Sequence, residues 1–207
     1  MSPQKIICFF GPDGSGKTTL ARELAQLFAH KGIKTKISWM RGTHTFASVL
    51  ARFLNKFKYF KGHDNPYYGI KIPSNFVFLW QFIEVISIIP IWFFRYVFPR
   101  LLGYVVIGER SLVDFIVWMI LTTHDYKFIT SFLGKIILSL NNKLCQNIYI
   151  TANKDILIQR RKDITIYTIP MQLLLYDVIA RNIKVPIIDT SNKDISSCMK
   201  ELISIIF

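Results

Sequence analysis

The sequence predicts an α/β domain in which five short strands form a parallel sheet covered by helices on both faces. Three observations predict it. Apolar runs of strand length alternate with stretches of helical periodicity. No run of hairpin turns joins neighbouring strands. No internal repeat, low-complexity tract or linker interrupts the 207 residues, of which 51% are hydrophobic, so residues 1–207 read as one domain around a sizeable core.

Lys5 to Phe10 is an apolar run that ends in a glycine-rich turn, and Lys17 to His30 repeats Leu20, Leu24, Leu27 and Phe28 at helical spacing. Lys34 to Met40 reads as a second strand. Thr43 to Phe60 reads as a helix with Phe46, Val49, Leu50, Phe53 and Phe57 on one face. Lys61 to Pro73, with two Gly and two Pro, reads as a loop. Asn75 to Phe98 has the length of a helix but is apolar nearly all round, with Gln81, Glu84 and Ser87 as a narrow polar stripe and Pro90 as a kink. Tyr104 to Gly108 and Gln146 to Thr151 are β-branched strands, each followed by a helix, Ser111 to His124 and Lys154 to Arg161. A helix Met171 to Asn182, a strand Val185 to Asp189 and a helix Asp194 to Ile205 complete the chain.

Lys and Arg number 26 against 13 Asp and Glu, a net charge of +13 that favours anionic partners. Cys8, Cys145 and Cys198 are odd in number and widely spaced, without a Cys-x-x-Cys pair, which fits a reducing cytoplasm. Met1 to Lys5 shows no secretory pattern. Phe76 to Ile107 is the most membrane-like stretch, but Glu84, Arg95 and Arg100 break it, so the chain reads as soluble and cytoplasmic. The apolar helix needs cover on two sides. A homodimer through residues 75–98 is the expected cover, with peripheral membrane contact as the alternative.

Gly11-Pro12-Asp13-Gly14-Ser15-Gly16-Lys17-Thr18 matches G-x-x-x-x-G-K-[ST] in full, after a strand and opening a helix. Such glycines let backbone N–H groups wrap a polyphosphate, and the helix directs the positive end of its dipole at the same anion. Lys17 is expected to reach the β- and γ-phosphates, and Thr18 to ligate Mg²⁺.

From this point the chain resembles the P-loop kinases of nucleoside monophosphates, most closely the thymidylate kinases. The resemblance rests on the loop from Phe9 to Thr19, including acidic Asp13, and on Val106-Ile107-Gly108-Glu109-Arg110-Ser111 at a strand end, similar to that family's Asp-Arg-Tyr or Asp-Arg-His. It rests also on Ile148 to Ile150 with the arginine-bearing helix Asp155 to Arg161, and on Pro186 to Asp194, similar to the loop beside the adenine. The resemblance implies a P-loop NTPase fold with acceptor-binding helices at about 43–100 and a short lid at about 160–170.

It also implies transfer of the γ-phosphoryl of ATP, with Mg²⁺, to a nucleoside monophosphate, dTMP to dTDP in the first instance. Gly11 to Thr19 and Asn192 would bind ATP; Thr18 and Glu109 would hold the metal. Asp13, Glu109 and Arg110 would face the acceptor, with Arg110 on its phosphate and Arg41, just past the second strand, in the same service. Phe76 or Phe78 would stack on the base, and in a helix that lacks the family's arginine the edge contact would be missing or supplied by Gln81. Arg160, Arg161 and Lys162 would close over the transferring group, joining Lys17 and Arg110 in catalysis.

Two alternatives stand beside this reading. A kinase of another acceptor, one that is lipid-linked, fits the apolar helix and the missing base-reading arginine. A catalytically idle nucleotide-binding module that docks a partner fits the lid, poor in charge, and Glu109 in place of the family's Asp. Arg52 to Lys71 interleaves basic and aromatic residues, but Phe53 and Phe57, four apart, read more simply as a core face, and no nucleic acid is expected. His30, His44, His63 and His124 show no metal spacing, and His44 alone, beside Arg41, could touch an acceptor.

Overall fold

The computed structural model describes residues 5–161 and 167–207. Five strands form one sheet: β1 (Ile6–Phe10), β2 (Thr35–Ser38), β4 (Val105–Gly108), β5 (Gln146–Thr151) and β6 (Ile187–Asp189). Their order is β2-β4-β1-β5-β6, and every pairing is parallel. The fold is the α/β sheet that the alternation of runs predicts. β1 and β4 are buried at every position, as central strands covered on both faces must be. Lys36 sits on edge strand β2, where a charge discourages further pairing.

Successive side chains of a strand point to opposite faces, so β1 feeds two cores. Ile7 and Phe9 pack with helix α1 (Lys17–His30) and helix α9 (Ile195–Ile206). Ile6, Cys8 and Phe10 face the larger core with α5 (Leu112–Thr123), α8 (Ile169–Ile183) and the long apolar helix. The three cysteines are buried and free.

Several elements depart from the sequence reading. α2 ends early, at Thr45–Leu54, and gives way to a 3-10 turn at Lys58–Phe60. The expected loop contains a short extended segment, β3 (Lys61–Asn65), bridged to Ile70. α6 (Phe132–Leu144) has no counterpart in the sequence reading; it opens on the Ser131 side chain, which accepts from the Gly134 N–H at 3.1 Å. The inward face of α2 is Ala47 and Ala51, while Phe53 and Phe57 are about half exposed and meet edge to face, their ring centroids 5.2 Å apart. Small residues win the inward face because α2 must approach the apolar helix closely enough for the Ala47 N–H to bond Ser87 Oγ at 3.0 Å.

That apolar helix runs through Pro90 as α3 (Val77–Trp92), widens into a π turn at Phe93–Val97 and ends as α4 (Phe98–Leu101). Its polar stripe is inside: Gln81, Glu84 and Ser87 are buried, while Phe78, Phe82, Ile86 and Phe94 face outward. Among the described residues, this continuous helix, Ser74–Leu101, is the one long and apolar enough to cross a membrane by length and composition, and 39% of its most apolar stretch is buried in the protein.

Candidate functional site

Every strand of the sheet delivers something to one edge, the carboxyl end, where the crossovers from β1 lead one way and those from β4 the other. β1 opens into the loop Gly11 to Gly16. Gly11 is required twice over: its φ is +143°, and a Cβ there would lie 2.0 Å from the Ile150 carbonyl oxygen. Gly16 caps α1 in the left-handed region, and Lys17 starts the helix.

Lys17 is buried and folded back onto its own loop, donating to the carbonyls of Gly11 at 2.7 Å and Pro12 at 2.6 Å. Burial and the nearby Arg110 charge pull its ammonium down to about 7 from 10.5. A polyphosphate in the loop reverses that pressure, because it brings a counter-charge to the buried ammonium. The Thr18 hydroxyl donates to Glu109 Oε2 at 2.8 Å, which joins the start of α1 to the end of β4.

Asp13 is the centre of the arrangement. Its buried carboxylate is held by Arg41 at 2.9 Å, by Arg161 at 3.2 Å and by Arg110 in a close contact. Burial alone would raise its pKa, but Arg110, Lys17 and Arg41 hold it well below the usual carboxylate range. The three guanidinium groups come from the ends of β2 and β4 and from the end of α7 (Lys154–Arg160).

Two cavities meet at Asp13 and Arg110. One, of about 540 Å³, is lined by Lys17, Thr18, Glu109, Arg160, Arg161 and Lys193, among others. Arg160 donates to the Thr190 hydroxyl at 3.0 Å and the Gly14 carbonyl at 3.3 Å, closing the roof of the loop. The second, of about 410 Å³, is lined by Arg41, Tyr67, Trp118, Gln172 and Tyr176 in addition to the shared pair. Arg41 lies over the rings of Tyr67 and Trp118, 5.2 and 5.5 Å from their centroids.

The sequence reading thus finds Lys17, Thr18, Glu109, Asp13, Arg41, Arg110, Arg160 and Arg161 at one place. Gly14, Gly16 and Thr19 line the first cavity as well, while Pro12 and Ser15 bond Lys17. Asn192 does not line it; Thr190 and Lys193 on either side do, because Asn192 is turned to solvent. Phe76 and Gln81 lie elsewhere: Phe76 meets Phe60 at 5.8 Å, and Gln81 donates to Asp125 at 2.8 Å. Neither reaches the second cavity, because the N-terminal part of α3 faces a separate groove with Asp125 and Lys127. His44 accepts from the Arg41 N–H at 3.1 Å and does not line the second cavity. Lys162 and the middle of the expected lid, residues 162–166, lie outside the described residues.

Sequence reasoning missed the residues that hold these arginines. Glu84 of the apolar helix accepts from both the N–H and the hydroxyl of Thr43, two residues past Arg41. The same hydroxyl accepts from Asn65 and Trp118, each at 3.1 Å. Gly42 leaves room for Trp118, whose Cδ1 would be 1.8 Å from a Cβ. Tyr96 donates to the Arg110 carbonyl at 2.8 Å, and Asp114, in the first turn of α5, accepts from Arg110 at 3.1 Å and Tyr176 at 2.9 Å. The one signal in the sequence was the polar stripe, whose buried carboxylate demanded a partner.

Fold and site together define a P-loop α/β protein of the nucleoside and nucleotide kinase fold. The structure resembles thymidylate kinase from Ehrlichia chaffeensis (TM-score 0.58, 16% identity, 98% of each chain). It also resembles thymidylate kinase from Candida albicans (0.60, 17%, 98% of this chain and 90% of that one) and deoxyadenosine kinase from M. mycoides with bound dCTP (0.54, 17%, 97% of each). The sequence model of the family described as "8TM Microsporidial transmembrane domain" matches residues 66–205, and the chain belongs to that family. The family is described by membrane segments, whereas residues 66–205 of this chain hold three of the five sheet strands and one helix of membrane-spanning length among the described residues. No curated protein matches the sequence.

Proposed function

We propose that the protein transfers the γ-phosphoryl group of ATP to a nucleoside monophosphate. The observation that carries this reading is the convergence of Arg41, Arg110 and Arg161 on Asp13, where a phosphate-loop cavity meets an aromatic-lined one. An acceptor phosphate can take the place of the Asp13 carboxylate on Arg41 and Arg110, exchanging one anionic partner for another. A neutral hydroxyl acceptor would need a base, and Asp13, held ionised by cations, is a poor one.

In the reaction, a phosphate oxygen of the acceptor attacks the γ-phosphorus in line. The new P–O bond forms as the bond to the β-bridging oxygen breaks, and ADP leaves. Lys17 swings from its loop carbonyls to the β- and γ-phosphates, while Arg160 and Arg161 offset the charge that spreads over the transferring group. Arg110 spans both cavities and holds the acceptor oxygen near the donor. Thr18 and Glu109 present adjacent oxygens, a donor set that suits a hard cation, and would hold Mg²⁺, which neutralises β,γ-phosphate charge when bound.

The second cavity has the size of a nucleotide site, and Tyr67, Trp118 and Tyr176 offer it aromatic faces. Similarity to two thymidylate kinases supports dTMP as the first acceptor to try. The buried free thiols suit the reducing cytoplasm where ATP is found. A membrane-linked phosphate acceptor is the second reading, favoured by the outward apolar face of α3. The test measures ADP release from Mg-ATP with dTMP, dUMP, UMP, CMP, AMP and GMP supplied singly. A rise with one of them supports the reading. ATP binding without a rise for any of them sinks it in favour of the second reading or of an idle module.

A further inference from the structure

Helix 74–101 is built inside out. Gln81, Glu84 and Ser87, the polar residues of its α3 segment, are buried and hydrogen-bonded to Asp125, Thr43 and α2. Leu79, Phe82, Ile86, Ile89, Phe94 and Leu101 recur at helical spacing and are all exposed, Phe94 at 62% and Leu101 at 63%. An exposed stripe of this length marks a covered surface in the working protein.

The charge around the stripe identifies the cover. Between residues 45 and 104 the basic residues are Arg52, Lys56, Lys58, Lys61, Lys71, Arg95 and Arg100. The acidic ones are Asp64 and Glu84; Glu84 is buried, and Asp64 is engaged by His124 at 3.1 Å. The helix therefore carries Arg95 and Arg100 beside its apolar stripe and no exposed acid. Two copies joined through this face by a two-fold axis would bring Arg95 and Arg100 toward their own counterparts on chains that each carry +13, while Asp125, the acid beside the start of the helix, is engaged by Gln81 at 2.8 Å. A spanning arrangement would strip Glu84, Gln81 and Ser87 of their protein partners. An interfacial arrangement needs neither: apolar side chains enter the acyl boundary, and Lys and Arg remain at the headgroups.

We propose that the outward face of helix 74–101 seats the protein on the surface of an anionic lipid bilayer. The proposal stands apart from the phosphoryl-transfer reading, and its test does not use turnover. The full chain is sedimented with vesicles of phosphatidylcholine alone and of phosphatidylcholine mixed with phosphatidylserine. Binding is expected to the mixed vesicles, weakened roughly tenfold by high salt. The double variant Phe82→Asp/Phe94→Asp is expected to lose at least about tenfold in partitioning, with circular dichroism and ATP binding unchanged. If that variant misfolds, Phe82→Ser/Phe94→Ser carries the same test. Absence of binding to either vesicle, or binding that the folded variants leave intact, overturns the proposal. So does a solution dimer, measured by light scattering, that the same substitutions dissociate, for then the face belongs to a second copy.

Discussion

Replacing Glu84 by Gln tests whether a buried carboxylate holds the acceptor-side loop. Burial raises the Glu84 carboxyl to about 7 from 4.5, although the Thr43 hydroxyl and N–H pull in the other direction. Between those two pH values the folded protein keeps a proton that the unfolded chain releases, so stability falls as pH rises through this window. The total loss is about 3 kcal/mol above pH 7. Glutamine retains one acceptor and cannot ionise, at a cost of about 1 kcal/mol for the bond it forgoes. The variant should therefore be about 1 kcal/mol less stable than the parent at pH 4, where both states of the parent keep the proton, and about 2 kcal/mol more stable at pH 8. Urea unfolding at the two pH values measures the crossing. Unfolding free energies that run parallel across this range would refute the reasoning, since they would mean that Glu84 is ionised or solvated in the folded state.

The same geometry sets four other expectations. Lys17→Ala should lower phosphoryl transfer by at least about 100-fold with the unfolding midpoint little changed, because the lost contacts are to its own loop carbonyls; retained turnover in a coupled assay counts against the site. Arg41→Ala should raise KM for the acceptor by roughly tenfold or more with a smaller effect on KM for ATP, since Arg41 lines only the second cavity. Thr18→Val should raise the Mg²⁺ concentration for half-maximal rate by roughly tenfold, read from a metal titration at fixed ATP. Gly42→Ala should cost about 1–3 kcal/mol in thermal or urea unfolding, because Trp118 occupies the space a Cβ needs.

The strands, their order of appearance and the phosphate loop are local properties and were legible. A buried parallel strand such as Ile6–Phe10 must be a continuous apolar run, and a backbone that wraps phosphate must place glycine at set positions. Arg41 and Arg110 were legible for a topological reason, since loops at the carboxyl ends of strands in such a sheet share one edge. α6 was missed because it carries no motif and sits between elements that do.

What the sequence by itself determined is the alternation of elements and the chemistry offered to a polyphosphate, because both depend on residues near one another in the chain. α1 buries Leu20, Leu24 and Phe28 as its spacing predicts, but tertiary structure alone decided which faces of α2 and α3 are inward. Apolar periodicity placed Phe53 and Phe57 in a core, yet close packing against α3 admits only Ala47 and Ala51 there. The same helix hides its polar stripe because Glu84 finds Thr43 across 41 residues of sequence, a pairing no window of periodicity contains. Asp13, spaced 28 residues from Arg41, 97 from Arg110 and far from Arg161, becomes the meeting point of three cations only when the sheet brings its strand ends together.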